Sequence, residues 1–140
     1  MRTAVDTNII SALWADEPDA DAVRRALLRA RDEGSLVISP VVYAEVCAHP
    51  RATQTMVDGF LKETGIHPEF ELSEQAWREV ARRFAHYAKR RRASRGGSPR
   101  RLLADFIVGA HALVHADRLL TLDSGTIYRR DFPQLRLLTT

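Results

Sequence analysis

Cysteine is almost absent: the 140 residues hold one, Cys47. That excludes an internal disulfide and a cysteine-based zinc site, and a reducing cytosol is the expected surrounding. Long apolar runs are missing too. None approaches the ~20 residues that span a bilayer, and Asp6 falls where the apolar core of a signal peptide would begin. A cytoplasmic chain with no membrane segment is expected. Repeats and domain linkers are also absent, and this length suits one domain with one core over 1–140. The last shortage is local. Residues 1–75 carry 13 acids against 7 Lys/Arg, whereas residues 76–140 carry 5 against 14. Each acid of the second half therefore needs a reason to be there.

What is present is an alternation of strands and helices. Residues 2–5 read as a short strand and Asn8–Trp14 as a helix, broken by Asp16–Asp19 with Pro18. Apolar residues at 23, 26, 27 and 30 give helical spacing over Ala20–Asp32, and Gly34 is expected to close that helix in the left-handed conformation. Leu36–Ile38 reads as a buried strand. Ser39-Pro40 is an N-cap with proline at the first helical position, opening a helix to about Ala48. Ala52–Glu63 is a helix ended by Gly65, and Phe70–Leu72 a brief strand. Ser73 starts a long amphipathic helix to about Lys89, with Trp77 on its buried face. Arg90–Arg101, holding Gly96, Gly97, Ser98 and Pro99, reads as a loop. Leu102–Ala116 is an apolar helix, Leu119–Leu122 a strand, Asp123-Ser124-Gly125 a turn and Leu135–Leu138 the last strand. This order argues for an α/β domain with a mainly parallel sheet. In such sheets the working groups gather beyond the carboxyl ends of the strands.

Four acids stand at that edge or on helices that start there. Asp6 and Asp123 follow strands, while Glu45 and Asp105 are each the one charge in an apolar helix. Taken singly each has a plain explanation: an N-cap for Asp6, a turn for Asp123, a solvated helix face for Glu45, a first-turn dipole partner for Asp105. Gly109 and Ala112, on the helix face of Asp105, read as leaving room for a pocket. Taken together the acids repel one another and raise each other's pKa values, an arrangement that divalent cations among them would relieve. Mg²⁺ takes carboxylate oxygens, retains waters and accepts substrate phosphates. The chemistry this implies is metal-assisted attack of water on a phosphodiester.

The stretches Val5-Asp6-Thr7-Asn8, Tyr43-Ala44-Glu45-Val46, Leu103 through Ala112 and Leu120-Thr121-Leu122-Asp123 resemble, in order and spacing, the successive motifs of the PIN domain, and in particular of VapC toxins from bacterial toxin–antitoxin pairs. The resemblance runs from Thr3 to Leu138. It implies a three-layer α/β/α nuclease domain, dependent on Mg²⁺ or Mn²⁺, that cuts RNA. The family's acidic quartet falls on Asp6, Glu45, Asp105 and Asp123. Asp6 and Asp105 are expected to ligate metal directly, Asp123 directly or through water, and Glu45 to hold or activate a water. Asn8 matches the polar residue that orients Asp6, and Thr121 a hydroxyl position near the fourth acid. A VapB-like antitoxin and a homodimer are the implied partners, besides RNA. A housekeeping PIN ribonuclease without antitoxin, or a non-catalytic RNA- or partner-binding module, remains an alternative. The chain departs from many short members in its long basic segment before Asp105.

That segment, Lys89–Arg101, carries seven cations and no acid. Arg90, Arg91, Arg92, Arg95, Arg100 and Arg101 are candidate RNA phosphate contacts, the alternatives being a solvated loop or a contact for an acidic partner. No aromatic interleaves them, so base stacking is not indicated. His111 and His115 have i, i+4 spacing but lack the Glu of a zinc-protease motif, and read as helix-surface or partly buried histidines. Cys47 reads as core. Trp14 and its neighbours read as core or as a partner groove. A haloacid-dehalogenase-type phosphatase is disfavoured: Asn8 stands where it needs a second Asp, and Lys62 and Lys89 are the only lysines.

Overall fold

A computed structural model describes residues 1–95, 102–123 and 126–140, with Thr126 and Ile127 described in backbone only. Five strands, β1 (Arg2–Val5), β2 (Ser35–Ile38), β3 (Ile66–Pro68), β4 (Arg118–Leu120) and β5 (Leu137–Leu138), form one sheet in the order β3-β2-β1-β4-β5. Every pairing is parallel. The chain walks outward from β1 to β2 and β3, then returns to lay β4 on the other side of β1. With right-handed crossovers this reversal puts α1 (Thr7–Trp14), α2 (Ala20–Glu33), α3 (Pro40–Cys47) and α4 (Gln54–Thr64) on one face. The other face takes α5 (Glu74–Ala93), α6 (Leu103–His115) and α7 (Thr126–Asp131). The result is the expected three-layer α/β/α arrangement. Its switch point is the gap between the carboxyl ends of β1 and β4, where open α/β sheets bind ligands.

Local chemistry sets most element boundaries. Ser39, Thr53 and Ser73 each cap a helix, their hydroxyls accepting from the backbone N–H three residues on. Gly65 ends α4 in the left-handed region, at φ 75, where a side chain is disfavoured. The core is built from Val5, Ile9, Ile10, Leu36, Ile38, Phe106, Leu119, Leu120 and Phe132, all essentially inaccessible. Phe106 meets Phe84 and Tyr87 of α5 and Phe132 beyond α7, centroids 5.1–6.0 Å apart.

Several expectations need correction. Gly34 is extended rather than left-handed, and the reason for glycine is crowding: a Cβ there would run into the Met1 carbonyl. The strand expected at Phe70–Leu72 lies instead at Ile66–Pro68, paired with β2, and Phe70 is largely exposed. Helix α5 continues to Ala93, so Arg90, Arg91 and Arg92 are helical and not part of a loop. Trp77 is half exposed, because the buried stripe of α5 is Ala76, Val80, Arg83 and Tyr87. Gly109 and Ala112 leave no pocket: both are buried, and a Cβ on Gly109 would stand 2.6 Å from the Phe132 ring. The last strand shrinks to Leu137–Leu138, and α7 appears where no element was expected. The remaining loop glycines, Ser98, Pro99, Ser124 and Gly125 lie outside the described residues, as do Arg100 and Arg101.

Candidate active site

Asp6 ends β1. Its backbone N–H still donates to Leu120 of β4 at 3.0 Å, so the side chain is fixed at the switch point. Every oxygen of its carboxylate is engaged. Oδ1 accepts from the Thr7 N–H at 2.7 Å, the cap that starts α1. Oδ2 accepts two hydroxyls, Thr121 Oγ1 at 2.9 Å and Tyr128 at 3.1 Å. Burial nevertheless raises the Asp6 pKa, the three hydrogen bonds working against that rise and the charge of Glu45 adding to it. The three donors favour the charged form where desolvation opposes it.

Thr7 joins a second acid to the first. Its hydroxyl donates to Glu45 Oε1 at 2.7 Å, which draws the exposed end of Glu45 from α3 towards the start of α1. Thr121 is a hub. Its oxygen donates to Asp6 and accepts from Asn8 Nδ2 at 3.2 Å and from the Asp123 N–H at 3.0 Å. The carbonyl of Asn8 accepts from the Leu122 N–H at 3.1 Å. Asn8 therefore orients Asp6 through Thr121 and not by direct contact, and it clamps the chain leaving β4. Asp105 lies in the first turn of α6, where its Oδ2 accepts from the Leu102 N–H at 3.3 Å. Asp105 and Asp123 are partly buried.

Tyr128 shows that three of the acids share one neighbourhood. Burial first, then the charges of Asp6, Asp105 and Asp123, push its hydroxyl far above the ordinary tyrosine range. It stands as a neutral donor to Asp6. Neither Thr7 nor Tyr128 was singled out from the sequence. Thr7 carried a weak signal, a hydroxyl directly after Asp6. Tyr128 carried none, because α7 is too short to show a period.

The donor set fits a hard divalent cation, since all four acids offer carboxylate oxygens and the first is aligned by neighbouring hydroxyls. Among the described residues no three His, Cys, Asp or Glu side chains stand close enough to enclose an ion. The basic segment is divided. Arg90 is committed to Asp131 of α7 at 2.6 Å, while Arg92 and Arg95 are exposed. His111 is buried against Glu69, and His115 meets Ser73. Neither belongs to the site.

No helix among the described residues is long and apolar enough to cross a membrane. A comparison with curated protein sequences finds no match. The fold is shared with solved structures of low sequence identity. A chain of VapBC2 from Rickettsia felis, in a structure bound to a DNA fragment from their promoter, is 19% identical, with 99% of this chain and 98% of that chain covered and a TM-score of 0.73. A chain of VapBC-1 from nontypeable Haemophilus influenzae is 19% identical over 99% and 98%, with a TM-score of 0.65. A chain of FitAcB from Neisseria gonorrhoeae is 18% identical over 97% and 96%, with a TM-score of 0.58. The PIN domain family model matches residues 3–133. That span holds all four acids and both hydroxyls on Asp6 Oδ2, and with it the chain belongs to the PIN domain family.

Proposed function

We propose that this chain is a Mg²⁺- or Mn²⁺-dependent endoribonuclease that hydrolyses RNA phosphodiester bonds, and that it is the toxin of a VapBC-type pair. The observation that carries the nuclease reading is the Asp6 carboxylate, buried at the switch point and held by three donors, with Glu45 near enough to act on it and Asp105 and Asp123 near enough to act on Tyr128. Asp6, Asp105 and Asp123 would hold the cation, which when bound supplies charge neutralisation at the scissile phosphate and acidifies water. Glu45, tethered through Thr7, orients the attacking water. Thr121, with Asn8 behind it, keeps Asp6 from swinging away. Arg92 and Arg95, at the end of α5 nearest α6, offer charge to the RNA backbone, and Arg91, Arg100 and Arg101 extend that arm in sequence.

The whole chain, 1–140, is read as one nuclease domain of the cytoplasm, with a VapB-like antitoxin and a second copy of the chain as partners. A groove of about 360 Å³ supports the antitoxin reading. Leu13, Trp14, Leu27, Leu28 and Phe60 line it, with Arg24 and Arg31 at its sides. It suits an apolar segment with acidic flanks.

Melting curves with Mn²⁺ and with EDTA test the site, because a ligand that binds the native state raises the midpoint. The wild type should gain several degrees from Mn²⁺, and Asp6→Asn and Asp105→Asn should lose that gain together with metal-dependent RNA cleavage. An unchanged Mn²⁺ response in both variants would sink the proposal.

A further inference from the structure

We infer that Tyr128 is a positioning residue for the cation site, fixing the direction of the Asp6 carboxylate by holding its Oδ2 from α7. This rests on the reading of Asp6 and Asp123 as cation ligands. Two hydroxyls, Thr121 and Tyr128, meet the same carboxylate oxygen, at 2.9 and 3.1 Å. Asp123 lies between them in sequence, two residues after one anchor and five before the other.

The second anchor is itself braced. Tyr128 and Phe132 are buried, at 2% and 1% exposure. Asp131 on the same short helix takes Arg90 on its carboxylate, and its carbonyl takes Arg83. The guanidinium of Arg83 also lies over the Phe132 ring, 4.8 Å from its centroid. A six-residue helix has little stability of its own. Here two arginines of α5 fix it while its tyrosine reaches into the acid cluster. A hydroxyl that is neutral and donating suits this task, since it adds no charge to a crowded anionic site. Partners that aim a ligand in this way commonly change metal affinity 10–100-fold when removed.

Tyr128→Phe keeps the ring and removes the donor. Mn²⁺ affinity is measured by isothermal titration on folded protein, at a temperature where circular dichroism shows each variant native. The variant should bind Mn²⁺ about tenfold more weakly, and saturating Mn²⁺ should restore most of its RNA cleavage. Thr121→Val and the double variant complete a cycle. Because both hydroxyls serve one oxygen, their effects on Mn²⁺ affinity should be non-additive. Wild-type affinity in Tyr128→Phe, or strictly additive effects in the cycle, would overturn the inference, even if the melting point in EDTA falls. A wild type that binds no Mn²⁺ would instead remove the nuclease reading on which it rests.

Discussion

His111 and Asp6 are both buried ionisable groups, and burial disfavours the charged form of each. His111 is 1% exposed, with Nε2 2.8 Å from Glu69 Oε1, while the other Glu69 oxygen takes Arg2 at 2.8 Å. Burial lowers the His111 pKa, the Glu69 carboxylate opposes that, and the charges of His115 and Arg2 reinforce it. Burial thus favours the uncharged imidazole beside the Glu69 carboxylate. The unfolded chain binds a proton at this histidine more readily than the folded chain does, so acid favours unfolding. Between about pH 7.5 and 5.5 the wild type should lose melting temperature more steeply than His111→Gln, which keeps a donor for Glu69 but cannot titrate. Parallel slopes in a thermal-shift series would contradict this. Burial also raises the Asp6 pKa, against three donors that favour its charged form. A bound cation would add to those donors. Asp6, Glu45 and Thr121 were legible in the sequence because each sits in a recognisable motif. Thr7 and Tyr128 were not, because a hydroxyl reports nothing until its partner across the fold is known.

Helix α5 shows how an element can mislead from sequence and still be interpretable. Its start was legible from the Ser73 cap, but its end was not, since a run of arginines reads as solvated loop. The helix continues because Arg90 has a partner, the 3% exposed carboxylate of Asp131, at 2.6 Å. Its buried stripe contains Arg83, whose guanidinium meets Glu79, the Asp131 carbonyl and Gln134 and lies over the Phe132 ring. An arginine on a core face displaces the apolar residue that periodicity would seek there, which is why Trp77 was assigned inward and stands outward. Strand β3 escaped for a related reason: Ile66-His67-Pro68 is an edge strand with one buried residue, and its pairing with β2 gives no sequence signal. The arginines near the end of α5 should therefore behave unequally. Arg90→Ala strands a buried carboxylate and should cost about 2 kcal/mol of stability by urea denaturation. Replacing the exposed Arg92 and Arg95 by alanine should leave stability within about 0.5 kcal/mol. In a catalytically inactive background it should weaken RNA binding and flatten its salt dependence. Equal losses of stability in the two variants would refute the division.

Over the whole molecule, the topology separates two surfaces that meet at the acids. The face carrying α5 and α7 presents exposed cations, including Arg92, Arg129 and Arg130, the charge that the proposed RNA contact calls for. The opposite face carries the apolar groove between α1, α2 and α4. Helix α1 connects that groove to the cleft: Trp14 at its end lines the groove, and Asp6 caps its start. Eight helical residues span about 12 Å, a distance that about four extended residues cover. An antitoxin segment anchored in the groove would then reach the acids with its next few side chains, and a cation among them would compete with the metal. The groove and the cleft make separable contributions on this view. Leu28 lines the groove and is 44% exposed. Leu28→Glu should therefore leave RNA cleavage intact while weakening inhibition by the product of the adjacent reading frame about tenfold, an effect of about 1.4 kcal/mol. Raising Mg²⁺ should relieve inhibition further in that variant than in the wild type, because apolar anchoring no longer holds the competing cation in place. Inhibition unchanged by Leu28→Glu across a Mg²⁺ series would mean that the groove serves some other occupant, and the antitoxin reading would lose its structural support.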